Sequence, residues 1–442
     1  MQHLKIQHRF SSNRLYWCVL TALSSLLIYI YGLKGKYDVN LFSTTSYGLK
    51  DYGYWVRAAQ NLTQLKNPYD EDPLFKSGIF SSTIIYFFKF ILISNVNFFV
   101  FMQLLNIVGL IIFLLTFKYL NSNNTILLFL LLTFSSTREI LVNGQVTGIL
   151  LGLFSTFYTL IKYVKNRKTI LKKFYYYLLN TLAGIIFIFL LDIKPNLFLF
   201  PLLVVAIIIP CRLAVFIGVF VWLLHQAYYS LLIGNLLLIS WYSNLLSVVA
   251  YKENPNLYGS LGIWQLLNQI QFNQYILQIL PVITFMFCGY LSLRISKKSS
   301  ISAALFLAFS TNYFYTYFHF YSFLPILAIM VYWIFLSKHI FLAGFLVSSM
   351  EFSFNLNYLN SLLSIVLLTL VLILYKFPKK TDSRFFVSGW ITYMFVREGL
   401  FFFVPTNPYL IKSIIVMIPF LIIAFLVVKE SLAPADERVG YY

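Results

Sequence analysis

Apolar runs recur along this chain at about the length a helix needs to cross ~30 Å of hydrocarbon, with short polar links between them. They fall near residues 15–33, 98–118, 124–137, 146–162, 175–191, 196–210, 213–233, 276–294, 301–313, 318–336, 339–350, 359–375, 385–404 and 409–428. Several are short, so the pattern predicts an all-α, polytopic transmembrane helix bundle of about 11 to 14 spans. The runs are continuous, whereas an outer-membrane barrel would show short alternating segments. The apolar stretch 79–93 breaks the topology if counted as a full span, because it would place Lys162, Lys165, Arg167, Lys168, Lys172 and Lys173 outside. It is therefore read as a re-entrant or interfacial helix. Residues 1–442 read as one integral membrane domain with two longer outer segments, 34–97 and 234–275. Neither a Gly/Ser linker nor an internal repeat divides the chain.

Composition sharpens this picture. The 442 residues are 60% hydrophobic and only 11% charged, where a soluble domain carries roughly a quarter charged residues. The net charge of +19 does not point to nucleic acid, since no soluble domain is present to carry a phosphate-tracking patch. It reflects topology instead: 21 of the 33 Lys and Arg fall on the inner side, and seven of the other 12 lie between residues 34 and 89. The positive-inside rule is obeyed except in that first outer segment. Cys18, Cys211 and Cys288 all lie in apolar runs, with no disulfide framework or metal spacing. The N-terminal run Leu15–Leu33 follows basic residues without a small-residue cleavage site, so it is expected to remain as the first span.

The exceptional outer segment contains KDYGYWVRAAQNLTQLKNPYD, Lys50 to Asp70. On a helix from Asp51 to Lys66, the residues Asp51, Trp55, Ala58, Leu62 and Leu65 share one face, while Arg57, Asn61 and Gln64 point elsewhere. This predicts an amphipathic helix lying on the membrane surface, ended by Pro68 and followed by the turn Asn67–Asp70. Asp51 then sits at the helix start. Two compatible readings are open: an N-cap worth ~1 kcal/mol, or a carboxylate held at the depth of a lipid-borne phosphate. Asp38, Asp70, Glu71 and Asp72 are further carboxylates, of which Asp70 reads as part of the turn. Two carboxylates in one loop leave a metal open, but their spacing is not diagnostic of one, and neither a metal nor a cofactor is expected.

Asp51, Tyr54, Ala58, Ala59, Asn67, Pro68, Tyr69 and Asp70 together resemble the first loop of glycosyltransferase family 87, whose members are polytopic enzymes of the GT-C fold. Three later stretches agree in order. Asn143-Gly144-Gln145 opens a span, Lys194-Pro195 follows one, and Thr316 to Pro325 (TYFHFYSFLP) resembles the family's late aromatic segment. Where family members carry Tyr-Pro-Pro after the first loop, this chain has Phe80-Ser81-Ser82. The family's Asn-x-Ser element is matched only loosely, by Asn256 to Ser260.

The resemblance covers roughly residues 40–340. It implies a GT-C-type bundle in the cell (plasma) membrane, serving the cell envelope, with the active site facing the periplasm or exterior. The donor would be a sugar on a polyprenyl phosphate, with mannose favoured, and the acceptor a lipid or glycan. It further implies that Asp51 is the general base, taking the acceptor's proton as the hydroxyl attacks the anomeric carbon with inversion.

The departing phosphate gains charge, and cations aimed at it lower the barrier. Arg138, Lys194 and His319 are the candidates, all at outer ends of spans. Arg138 also reads as an interfacial anchor or a partner of Glu139, Lys194 as an ion pair with Asp192 or a snorkelling end residue, and His319 as one member of an aromatic belt. Gln145 is a candidate for sugar hydroxyls or a polar span cap. Tyr54 and Trp264 are candidates for sugar or acceptor contact. Trp264 belongs, with Trp241 and Tyr242, to an outer segment in which Ser260 caps a helix bearing Ile263, Leu266, Leu267 and Ile270; this element covers a sugar or forms an interface belt. The rival class is a transporter or flippase for a lipid-linked or anionic solute, which would place its polar groups at the midplane. His225 and the Arg397-Glu398 pair are the few such residues.

Overall fold

A computed structural model of the full chain describes residues 51–71, 77–92, 94–119, 144–167, 172–250, 273–298, 301–314, 320–336, 340–350, 380–403 and 408–432, with isolated positions between them. Every element among the described residues is helical. In chain order they are α1 (Asp51–Thr63), α2 (Pro68–Glu71), α3 (Ile79–Leu92), α4 (Asn95–Thr116), α5 (Thr147–Arg167), α6 (Lys173–Ile193), α7 (Pro195–Ile208), α8 (Arg212–Ile233) and α9 (Leu237–Ala250). There follow α10 (Gln274–Lys298), α11 (Ile301–Ser310), α12 (Leu324–Leu336), α13 (Ile340–Met350), α14 (Lys380–Phe403) and α15 (Pro408–Leu432). Short 3-10 turns, Thr311–Phe314 and Phe320–Phe323, lie between α11 and α12.

Four of these helices are long and apolar enough to cross a bilayer: α4 over Asn97–Thr116, and α5, α6 and α8 over their full lengths. Only a closed barrel or a helix can span hydrocarbon with its backbone satisfied, and the chain is an all-α membrane protein. The stretch 79–93, expected to be re-entrant or interfacial, forms the 14-residue α3. At 1.5 Å per residue this is about 21 Å, short of a full crossing. The run 196–210, expected as a span, forms an equally short helix, α7.

Glycines set how closely the central helices approach. On α4 and α5, a Cβ added to Gly109 would lie 2.2 Å from the Gly148 carbonyl oxygen, and one on Gly148 would lie 2.3 Å from that of Asn106. No side chain fits there, so the two backbones touch, as small-residue interfaces allow in membranes. Gly184 on α6 meets Ala214 and Gly218 on α8 in the same way, and Gly344 on α13 meets α14. The α4–α5 crossing matters most, because it falls beside Asn106 and the start of α5. Around it packs an aromatic core of Phe113, Phe117, Phe154, Phe198 and Phe309. The α8 helix is peripheral: Phe216, Phe220, Leu224, Tyr228 and Leu231 are exposed, as suits a lipid-facing stripe.

The α5–α6 pair fixes a polarity. Each helix has 21 residues, about 31 Å. The start of α5 and the end of α6 lie together at the site described below, so Lys162, Lys165, Arg167, Lys172 and Lys173 fall at the opposite ends of both helices.

In the first loop, α1 begins at Asp51 as expected but stops at Thr63 rather than running to Lys66. Leu65, expected on the apolar face, is 53% exposed and has φ +57°. A left-handed residue ends a helix and throws its side chain out of the 3.6-residue phase. Trp55, Ala58 and Leu62 are buried as expected, and so are Tyr52, Val56 and Ala59. Their cover is protein: α1 packs on α3, and the Tyr52 ring meets Phe98 and Phe99 of α4 at 5.8 and 5.7 Å. The face expected to rest on the membrane surface is therefore docked on the bundle.

Candidate active site

Local backbone chemistry delivers three polar side chains to one place. Asp51 opens α1. Gly144 has φ +70°, a conformation glycine adopts without strain, and the turn it makes aims Gln145 at the head of α5. Pro195 cannot continue α6 and disfavours a helical residue before it. Lys194 accordingly breaks to φ −139°, ψ 72°, and Pro195 takes the first position of α7, where its missing N–H costs nothing.

These residues form a hydrogen-bonded row. Gln145 donates from Nε2 to Asp51 Oδ2. Its Oε1 accepts from Lys194 Nζ at 2.9 Å, and Lys194 Nζ also donates to Thr147 Oγ1 at 3.2 Å. Gln145 thus spends one donor and one acceptor on holding a carboxylate and an ammonium beside each other. Asp51 is partly exposed. Lys194 keeps some exposure along its length, yet its ammonium is enclosed. Burial pulls it down to about 7, with the Asp51 carboxylate opposing the shift. A lysine so placed gains a proton readily when an anion arrives.

A buried polar knot supports the row. Asn106, buried in the apolar length of α4, donates from Nδ2 to the Gln145 carbonyl at 2.8 Å and to Tyr52 Oη at 2.9 Å. Its Oδ1 accepts the Ile149 N–H at 3.1 Å, satisfying one of the orphan donors in the first turn of α5. The Tyr52 hydroxyl donates to the same Gln145 carbonyl at 3.3 Å, and burial pushes its acidity well below that of an ordinary phenol. Every polar atom of Gln145 described here is thereby located from α1, α4 or the α6–α7 joint.

Of the residues expected at the site, Asp51, Gln145 and Lys194 come together. Tyr54 lies on α1 with the Arg57 guanidinium 4.7 Å above its ring, a cation–π contact. Arg138, His319 and Trp264 lie outside the described residues. The ion pair open for Lys194 and Asp192 is not formed: Asp192 bonds the Ser81 N–H and Trp222 Nε1 instead. Asp70 takes its expected place in the turn. Asn67 Oδ1 accepts the Tyr69 N–H at 3.2 Å and Asn67 Nδ2 donates to Asp70 Oδ2 at 2.8 Å, an Asx-type start for α2. Asn67 Nδ2 also reaches Ser240 Oγ on α9 at 3.2 Å, so the two outer segments meet. Trp241 packs edge-on against Trp222 at 5.8 Å, and Tyr242 is exposed. His225 shares a 3.3 Å hydrogen bond with Thr83 Oγ1 and packs between Phe80 and Tyr229.

Sequence reasoning missed Tyr52, Asn106 and Thr147. Asn106 carried a usable signal, since an amide inside an apolar span is costly unless it bonds across helices. Among the described residues, no cluster of three or more His, Cys, Asp or Glu side chains stands ready for a metal. The chain matches no family model, no curated protein and no solved structure. The likeness to glycosyltransferase family 87 rests on its motif residues.

Proposed function

We propose that this protein is a membrane glycosyltransferase of GT-C type. It moves a hexose, with mannose favoured, from a polyprenyl-phosphate donor to a lipid or glycan acceptor at the outer face of the membrane. The observation that carries the reading is the row Asp51–Gln145–Lys194, in which residues from three separate motif segments bond to one another. The polarity of the α5–α6 pair supports the outer face, because the basic link lies at the far end of both helices and Lys and Arg favour the inner side.

In this reading the acceptor oxygen attacks the anomeric carbon. Asp51 takes the hydroxyl proton, the bond from that carbon to the phosphate oxygen breaks, and the electron pair leaves on the polyprenyl phosphate. Lys194 faces that developing charge. A single displacement inverts the anomeric centre. Gln145 holds the base and the cation in fixed relation, which is orientation rather than chemistry. Arg138 and His319 are further phosphate contacts on the strength of the motif resemblance alone.

The test is transfer of label from radiolabelled polyprenyl-phosphate mannose to membrane lipids by purified wild-type and Asp51→Asn protein. Transfer by the wild type alone supports the reading. Equal transfer by both removes Asp51 as the base, and transfer by neither removes mannose as the sugar and strengthens the transport alternative.

A further inference from the structure

Asp192 sits in the last turn of α6, two residues before Lys194, and is 1% exposed. Its side chain serves other helices. Oδ2 accepts the Ser81 backbone N–H at 2.7 Å, Oδ1 accepts Trp222 Nε1–H at 2.7 Å, and the Phe80 N–H also points at the carboxylate. Phe80 and Ser81 lie in the first turn of α3, where backbone N–H groups have no partner within their own helix. A carboxylate there also meets the positive end of the helix dipole. Main-chain bonds complete the joint. Gly78 N–H donates to the Asp192 carbonyl at 2.6 Å, and Ser77 Oγ donates to that of Ile193 at 2.9 Å. The fit admits only glycine at position 78, since a Cβ there would lie 1.9 Å from Asp192 Oδ1.

We propose that Asp192 is a positioning residue, capping α3 from the end of α6 and thereby holding α1, with Asp51, in register with Lys194. The proposal rests on the transferase reading of those two residues. Its logic is mechanical. The α1 helix lies on α3, α3 is pinned by Asp192, and Lys194 follows Asp192 in the chain. Loosening the cap releases the helix that supports the base and leaves the cation in place on its own joint. The turnover rate falls while donor affinity persists. Nonspecific damage at the α6–α7 joint would lower both.

Two variants break the cap from opposite sides. Asp192→Asn replaces one acceptor oxygen with an N–H donor facing a donor. Ser81→Pro deletes the backbone donor itself, an N–H with no partner within its own helix. Each is compared with wild type for kcat, donor KM and binding of polyprenyl monophosphate. Electron–electron distances are measured in parallel between spin labels at Gln60→Cys on α1 and Leu199→Cys on α7. Both variants are expected to lose at least about tenfold in kcat, keep KM and binding within about threefold, and broaden the label distance. An unchanged distance in a folded variant overturns the proposal, as does donor affinity falling in parallel with kcat. If the wild type transfers no sugar, the transferase reading fails, and the label distances alone still decide whether Asp192 holds α3 in place.

Discussion

Donor binding should carry a proton with it. The Lys194 ammonium is drawn by burial from an ordinary 10.5 to about 7. With the value lowered, the side chain is charged below that pH and neutral above it, so attraction for a phosphate weakens as pH rises. A phosphodiester donor keeps its single charge throughout the range, and Lys194 is the titrating partner. The apparent dissociation constant then scales with one plus the ratio of neutral to charged lysine. It rises about tenfold between roughly pH 6 and pH 8, and about another tenfold by roughly pH 9. An ordinary lysine would hold it flat over the same interval. Calorimetric titration of polyprenyl-phosphate mannose into wild-type protein without acceptor reads the constant directly, and buffers of different ionisation heat count the proton taken up. Lys194→Met keeps the stem and removes the charge; it is expected to bind about tenfold more weakly near pH 6 and to lose the slope. A flat profile in the wild type, or the same slope in Lys194→Met, would refute the reasoning.

Other consequences follow from the same geometry. Gln145→Leu removes the amide that bonds both Asp51 and Lys194 and should lower kcat by about 10- to 100-fold with a smaller change in donor KM, a split that steady-state kinetics resolves. Asn106→Leu leaves the Gln145 carbonyl, the Ile149 N–H and Tyr52 short of partners. It should destabilise the bundle by about 1–3 kcal/mol, seen as a lower thermal midpoint in detergent. Gly78→Ala must push Asp192 aside and should cost about 1–3 kcal/mol or more. Gly234→Ala, at φ +71° with nothing within 4 Å, is expected to act only through backbone strain and to cost about 1 kcal/mol.

The parts of the fold that local chemistry dictates were legible in the sequence. Apolar runs mark α4, α5, α6 and α8 because the bilayer requires them to. Pro195 ends α6 and breaks the backbone at Lys194, and Gly144 turns the chain before Gln145; both act through their immediate neighbours. What was not legible depends on partners distant in sequence. Tyr52 bonds Gln145 across 93 residues, and Asp192 bonds Ser81 across 111. The adjacency of Asp192 and Lys194 made an ion pair one of the readings open, yet the break at Lys194 lets the two side chains serve different helices. The amphipathic pattern of α1 was correct in its phase up to Leu62. Pattern alone cannot say whether lipid or protein covers an apolar face, and here α3 and Phe98 and Phe99 of α4 cover it. Leu65 was misplaced because its left-handed backbone leaves no mark in the hydrophobic period.

The central claim is that Asp51 removes the acceptor's proton at a site that binds a polyprenyl-phosphate sugar. Single-turnover transfer from polyprenyl-phosphate mannose, measured for wild type and Asp51→Asn alongside donor binding, tests it most directly. The account predicts that the variant binds donor within a few-fold of wild type and transfers at least about a hundredfold more slowly, the scale of a lost general base. Donor binding with undiminished transfer by Asp51→Asn would contradict it.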